Sequence, residues 1–382
     1  MLLRNLSKIR WSFIFGCFCI YGFAHFLHNY SKNSWLPEII EDSTLKKKTA
    51  DGPLILRDDI FDNGGKKKSG VIQGAALMGN IEEFFDAPIS KVTESPPKPI
   101  EISKKFLDKF RTMAQNLISN NTEDFILFSV INHAYYNLTS NFLCNIYSID
   151  EKLHSKIFIV SLQEESCKKL KKDWPKISCH WLESDKQHNE GVDWGKQIYV
   201  QILTFRAKLL EELAKLSLQF ILFESDSIWI KLPFELIKNI TAIDDADILV
   251  PINGYPGKQK FAFDPLVAFN TQARTDFFIE MRKRLEKDPA LMDQEVLNDL
   301  CSSQFKGVIC RNFEWSEVAD GKYFKMGERE RKEYKPLIIN NNYYVGVKNK
   351  SARQALNGLW FLSPKGICNV SKAKKQLAKY QS

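Results

Sequence analysis

The stretch FILFESDSIWIKLP, Phe220 to Pro233, sets four apolar residues against the acidic triplet Glu224-Ser225-Asp226, with Trp229 close behind. A short apolar run that stops in acids reads in two ways: a buried strand ending in a metal clamp, or a strand ending in a solvated turn. In an extended segment, residues two apart point the same way, so Glu224 and Asp226 face one side and Ser225 the other. Two carboxylates on one side suit a hard cation with oxygen ligands, Mn²⁺ or Mg²⁺. The flanking sequence decides between the readings.

Outward from this stretch, apolar runs alternate with helical periodicity. Ile102, Phe106, Phe110, Met113 and Leu117 recur at helical spacing between Glu101 and Ser119. Short apolar runs at 124–132, 155–162 and 176–182 read as strands. A long helix follows over 197–216, then strands at 219–223, 246–252 and 261–270, and a helix ending near Lys287. This alternation predicts an α/β fold, a mostly parallel sheet with helices on both faces. Ligands of open α/β sheets bind at the carboxyl ends of the strands. The residues just after the apolar runs therefore matter most: Asn132, His133 and Ala134 after the first strand, and the acidic triplet after the fourth.

The 382 residues carry a net charge of +8 with 44% hydrophobic and 26% charged residues, a globular composition. The lysines lie in short scattered runs such as Lys46-Lys47-Lys48, with no basic helix interleaved with aromatics, so nucleic acid is not the expected partner. Arg4, Lys8 and Arg10 precede an uncharged apolar segment, 11–31, long enough to span a hydrocarbon core of ~30 Å. The positive flank predicts a cytosolic tail at 1–10 and a signal-anchor at 11–31, with the bulk of the chain luminal. Cleavage near Gly22-Phe23-Ala24, which would secrete the protein, is the alternative. Residues 32–100, with Gly64-Gly65 and the segment around Pro96-Pro97, read as a stem. Outside the span, six cysteines permit three disulfides or buried thiols; Cys167/Cys179 and Cys301/Cys310 are the close pairs. N-glycosylation sequons begin at Asn120, Asn137, Asn239, Asn349 and Asn369.

A helix bearing Arg206 and Lys208, an apolar strand, an acid-x-acid at Glu224 and Asp226, an aromatic at Trp229 and a proline at Pro233 together resemble the glycosyltransferases with a nucleotide-diphospho-sugar transferase domain, a group that includes plant xylosyl- and arabinosyltransferases. Further segments are similar in order: NHAY at 132–135, MDQEVLN at 292–298, VADGKYF at 318–324, and a closing block at 337–362 with Gly346, Lys350 and Gly358-Leu359-Trp360. The resemblance covers roughly two thirds of the chain. It implies a GT-A-like, Rossmann-type domain at 101–370 followed by a C-terminal tail at 371–382. It also implies a metal held by Glu224, Asp226 and Asn340, and a UDP-sugar or related donor near Asn132, Ala134, Arg206, Ser225, Gly346 and Lys350. Asp293 and Gln294 would stand on the acceptor side, Asp293 orienting the acceptor or serving as acid/base, or else simply capping its helix. The implied activity is sugar transfer, with retention, to a glycan or glycoprotein hydroxyl by a Golgi type II membrane protein. Two positions depart from the family pattern: Glu224 stands where aspartate is usual, and Asn340 where histidine is usual. An inactive, binding or chaperone-like relative is the alternative they raise.

Overall fold

A computed structural model describes residues 98–119, 125–192, 195–243, 246–254 and 260–381. The tail at 1–10, the apolar segment at 11–31 and the stem up to residue 97 lie outside the described residues. Among the described residues, no helix is long and apolar enough to cross a membrane.

The first helix, α1 (Lys104–Ser119), starts where the Ser103 hydroxyl accepts a bond from the Phe106 N–H (3.1 Å), and it buries Phe106, Phe110, Ala114 and Leu117. Strands β1 (Phe125–Ile131), β2 (Ile157–Ser161), β3 (Ser178–Trp181) and β4 (Gln219–Leu222) pair in parallel in the order β3-β2-β1-β4. Their side chains alternate between two apolar layers. Leu127, Ile131, Ile157, Ile159 and Ile221 enter one, while Ile126, Phe128, Phe158, Phe220 and Leu222 enter the other. Burial on both faces explains why these strands are unbroken apolar runs rather than alternating ones. Helices α2 (Tyr136–Ile149), α3 (Glu164–Asp173) and α4 (Gln197–Lys215) connect them.

The sheet continues through β8 (Leu266–Ala268), antiparallel to β4, into β6 (Ile248–Asn253), antiparallel to β8 and hence parallel to β4. The strand expected over 261–270 is instead two pieces, β7 (Lys260–Phe261) and β8, because Pro265 has no N–H to give a ladder. β9 (Cys310–Phe313) pairs in parallel with β6. A small second sheet joins β5 (Ile228–Trp229), β11 (Ile338–Ile339) and β10 (Val318–Ala319), with β11 antiparallel to β5 and parallel to β10. The remaining helices are α5 (Phe234–Ile243), α6 (Gln272–Lys287), α7 (Asp293–Ser302), α8 (Glu328–Arg331), α9 (Val347–Leu356) and α10 (Val370–Gln381).

Disulfides join Cys167 to Cys179 and Cys301 to Cys310, and a third links Cys144 in α2 to Cys368. The segment expected as a tail at 371–382 is mostly helix α10. It buries Ala373 and Leu377, packs on α2, and donates from Gln381 Nε2 to the Ile230 carbonyl (2.8 Å). Amphipathic spacing turns Ala373 and Leu377 to one side of this helix.

His154 lies buried edge-on to Tyr147 and Trp174, its Nε2 2.9 Å from the Leu143 carbonyl oxygen. A carbonyl only accepts, so Nε2 carries the hydrogen. Burial, with a smaller push from Lys176, lowers its pKa to about 4 against the opposing Leu143 bond. A neutral imidazole buried in the fold stabilises it fully above the unfolded pKa near 6.5. That contribution is lost as pH falls from there towards 4. The expected loss is about 3 kcal/mol, measured by urea unfolding across this window, and His154→Phe should flatten it.

Candidate active site

The turn Glu224–Ser227 follows β4 directly. The Ser227 N–H and hydroxyl both donate to the Glu224 carbonyl (3.2 and 2.9 Å), so the acidic triplet is a closed turn and not the extended segment expected from the alternation rule. Its two carboxylates nevertheless open into one cleft, for a topological reason. β5, which starts just after Asp226, pairs antiparallel with β11, Ile228 opposite Ile339. Asn340 therefore emerges at the same end as Asp226. In the large sheet, β8 runs against β4 with Leu266 opposite Leu222, so Asp264, just before β8, arrives at the carboxyl edge where Glu224 leaves β4.

Buried amides fix the turn. Asn145 donates from Nδ2 to the Trp229 carbonyl and accepts at Oδ1 from the Trp229 N–H (both 2.8 Å). Gln354 donates to the Asp226 carbonyl (2.8 Å) and accepts from Asn141 (3.1 Å). Trp229 is fully buried, edge-on to Phe142. Trp229 therefore anchors the turn from beneath.

Carboxylate oxygens of Glu224, Asp226 and Asp264 lie within 4.8 Å of one another. Asp264 Oδ1 accepts from the Glu224 N–H (3.1 Å). Burial, then the neighbouring Glu224 and Asp226, hold the Asp264 carboxyl well above the usual carboxylate range despite that bond. Two cations reach the cluster. Lys350 Nζ donates to Asp226 Oδ2. Arg206 donates from Nη1 to Glu224 Oε1 (2.9 Å) and from Nη2 to Asp293 Oδ2. Burial works against both positive charges, but the carboxylates outweigh it and raise both pKa values. Four carboxyl groups thus face two cations.

All of these groups line a cleft of about 440 Å³ or its smaller neighbouring lobe, which shares Tyr135, Tyr199, Arg206, Glu224, Asp226 and Lys350 with it. The buried side-chain oxygens of Asn253, Asn340 and Asn341 on its wall have no hydrogen-bond partner. An all-oxygen set of three clustered carboxylates with a nearby unpartnered amide oxygen fits a hard divalent cation. Asn340 is fixed for this by donating from Nδ2 to the Asp264 carbonyl (2.5 Å).

Of the residues singled out in the sequence, Glu224, Asp226, Asn340, Arg206, Lys350, Asp293, Gln294 and Gly346 line the cleft, and Ser225 lines its smaller lobe. Gly346 has φ +87°, a conformation side chains resist, and opens α9 four residues before Lys350. Asn132 borders the smaller lobe, but its amide is spent on backbone: it donates to the His188 and Glu190 carbonyls (both 2.9 Å) and accepts from the Tyr135 N–H (3.3 Å). Ala134 lines neither lobe; its neighbour Tyr135 does. Lys208 points elsewhere, pairing with Glu212 (2.9 Å), as two residues' separation on a helix requires. Asp264, Tyr199 and Asn253 border the site from outside the quoted motifs, and Tyr135 and Asn341 lie within NHAY and the closing block without being singled out there. Pro265 inside an apolar run is the local signal for Asp264.

Among solved structures, the chain is similar to the apo form of the glycosyltransferase GlyE of Streptococcus pneumoniae TIGR4, with 13% identity and a TM-score of 0.41 over 69% of this chain and 65% of that one. The chain thus spans just under two thirds of that protein's length. It is also similar to the apo form of mouse xyloside xylosyltransferase 1, with 11% identity and a TM-score of 0.38 over 58% of this chain and 98% of that one. No curated protein matches it significantly. The family model described as nucleotide-diphospho-sugar transferase matches residues 152–354, more than half of the chain and all of the turn, β5, β11 and Lys350. The chain belongs to the nucleotide-diphospho-sugar transferase family.

Proposed function

We propose that the protein transfers a sugar from a nucleoside-diphosphate donor, a UDP-sugar, to a hydroxyl of a glycan or glycoprotein acceptor, with retention and with a divalent cation. The observation that carries this is the meeting of Glu224, Asp226 and Asp264 with Lys350 and Arg206 in one cleft. Asp226, Glu224, Asp264 and Asn340 would hold Mn²⁺ or Mg²⁺. When bound, the cation supplies Lewis-acid stabilisation of charge on the departing diphosphate. Lys350 and Arg206 add positive charge for the diphosphate oxygens, and Tyr135 and Tyr199 wall the donor side. In the transfer, the anomeric carbon–oxygen bond breaks with its electron pair going to the diphosphate. The acceptor oxygen bonds to that carbon, and its proton is lost to the departing phosphate oxygen. Asp293 and Gln294, opening α7, border the acceptor side.

The same reading makes the protein a single-pass type II Golgi membrane protein, with a tail at 1–10, a signal-anchor at 11–31, a stem to residue 100 and a luminal catalytic domain. The positive flank before residue 11 and three disulfides, which persist in oxidising compartments, support that placement. A second reading, a luminal binding relative without turnover, draws on Glu224 and Asn340 at positions where the family usually has aspartate and histidine.

Thermal unfolding of the protein with a panel of nucleoside diphosphates separates them. One nucleotide should stabilise by about 3 kcal/mol at a hundred times its Kd, only with Mn²⁺ or Mg²⁺, and its sugar ester should be turned over. Binding without turnover of any donor would favour the second reading. No response to any nucleotide would overturn both.

A further inference from the structure

We propose that Lys350 and Arg206 are built-in counter-cations of the acidic cluster, displaced from Asp226 and Glu224 by a divalent cation and thereby released to the donor diphosphate. The inference rests on the reading of the cluster as a cation site.

The ion pairs engage the very groups a cation would take: Lys350 Nζ lies on Asp226 Oδ2, and Arg206 Nη1 on Glu224 Oε1. An ammonium and a divalent ion cannot share one small set of carboxylate oxygens without strong repulsion. The backbone beneath them is fixed. The Lys350 carbonyl accepts from Asn341 Nδ2 (2.9 Å), its N–H donates to the Gly346 carbonyl (3.1 Å), and Gln354 ties α9 to the Asp226 carbonyl (2.8 Å). Displacement is thus a matter of side-chain torsions on a held helix.

Each cation also has a second foothold. Lys350 Nζ is 5.9 Å from the centre of the Tyr135 ring, and Arg206 keeps Asp293 after giving up Glu224 while stacking 5.1 Å over Phe263. The arrangement orders binding. Cation first liberates two donors, and the diphosphate then finds both the bound cation and the freed side chains. A diphosphate arriving alone finds its positive groups already paired with carboxylates.

The consequence is a pair of effects with opposite sign. Lys350→Met should tighten Mn²⁺ binding to the nucleotide-free protein by about tenfold or more, and weaken UDP binding at saturating Mn²⁺ by at least as much. Isothermal titration of each ligand, on variants checked for folding by circular dichroism, measures both. A lysine that only contacted phosphate would leave Mn²⁺ binding unchanged, and that result overturns the inference while leaving the cation reading intact. Failure of wild type and Lys350→Met alike to bind Mn²⁺ or Mg²⁺ overturns both. Should Lys350→Met fail to fold, the wild type still decides. On Mg²⁺ titration, the Lys350 ammonium nitrogen resonance should shift with the same saturation as the binding heat. Binding heat without any change at that resonance overturns the exchange.

Discussion

Asp226→Asn should abolish transfer, lowering kcat/KM by about 10³-fold or more while also lowering the melting temperature. The substitution keeps shape and removes one charge. It takes away the most buried carboxylate of the cluster, 3% exposed, and so the strongest candidate ligand. It also strips Lys350 of its principal counter-charge, and breaking a buried pair by removing one partner costs about 3–5 kcal/mol. The two losses are separable. Adding Lys350→Met to Asp226→Asn should recover much of the stability, because the uncompensated ammonium is gone, and should recover no activity. Initial rates with a matched donor and Mn²⁺, beside urea unfolding of the single and double variants, give both readings. Activity within tenfold of wild type in Asp226→Asn would dismiss the clamp.

Two carboxylates of the acidic cluster are legible in the amino-acid sequence and the third is not, for a physical reason. Glu224 and Asp226 sit within one local segment, after an apolar run whose burial on both faces makes a strand conspicuous. Arg206 comes from a helix whose periodicity is likewise local, whereas Lys350 enters only through the resemblance of the closing block. Asp264 reaches the site only because β8 runs antiparallel in an otherwise mostly parallel sheet, and the direction of a three-residue strand leaves no periodic trace. Asn253, by contrast, ends β6, which runs parallel to β4, so it stands at a carboxyl end where the general rule for α/β sheets points, though no motif marks it. The closed turn at 224–227 also escapes the period-two rule, since a hydroxyl and an amide on one carbonyl is a choice of local hydrogen bonding. Asn132 does stand at the end of β1, as its place after an apolar run implies, but its amide closes the loop at 188–190, which only the fold brings near. Motif spacing therefore locates the ends of strands, and tertiary pairing decides which side chains are free there.

The family departures acquire a structural setting from the same geometry. A longer acid at Glu224, 36% exposed at its side chain, can reach both Arg206 and the cluster, which a shorter aspartate would do less easily. Asn340 uses one half of its amide to hold Asp264 and leaves the other half unpartnered on the cleft wall. Glu224 keeps a hard oxygen donor, and Asn340 puts an amide oxygen in place of the imidazole nitrogen that favours softer transition metals. The set as it stands fits Mg²⁺ and Mn²⁺ alike.

Asp293→Asn should lower kcat/KM by about 10²-fold, through Arg206 rather than through loss of a general base. The Asp293 carboxylate opens α7, where the helix N-terminus favours negative charge, and it is already engaged by Arg206 Nη2. A carboxylate held by a guanidinium on one oxygen is a poor place to deliver a proton, but a good one to aim that guanidinium. With asparagine there, Arg206 loses its charged second foothold and settles more firmly on Glu224, its remaining acidic partner. Cation binding should then weaken by several-fold, with the strength of the Arg206–Glu224 pair setting how far. A positioning role predicts that the pH–rate profile of Asp293→Asn keeps the shape of the wild type at a lower level, and that Mn²⁺ affinity falls with it. A general-base role predicts loss of the acidic limb of the profile with Mn²⁺ affinity unchanged. Rate profiles between pH 5 and 9, paired with Mn²⁺ titrations, distinguish the two, because only the positioning role links Asp293 to the affinity for the cation.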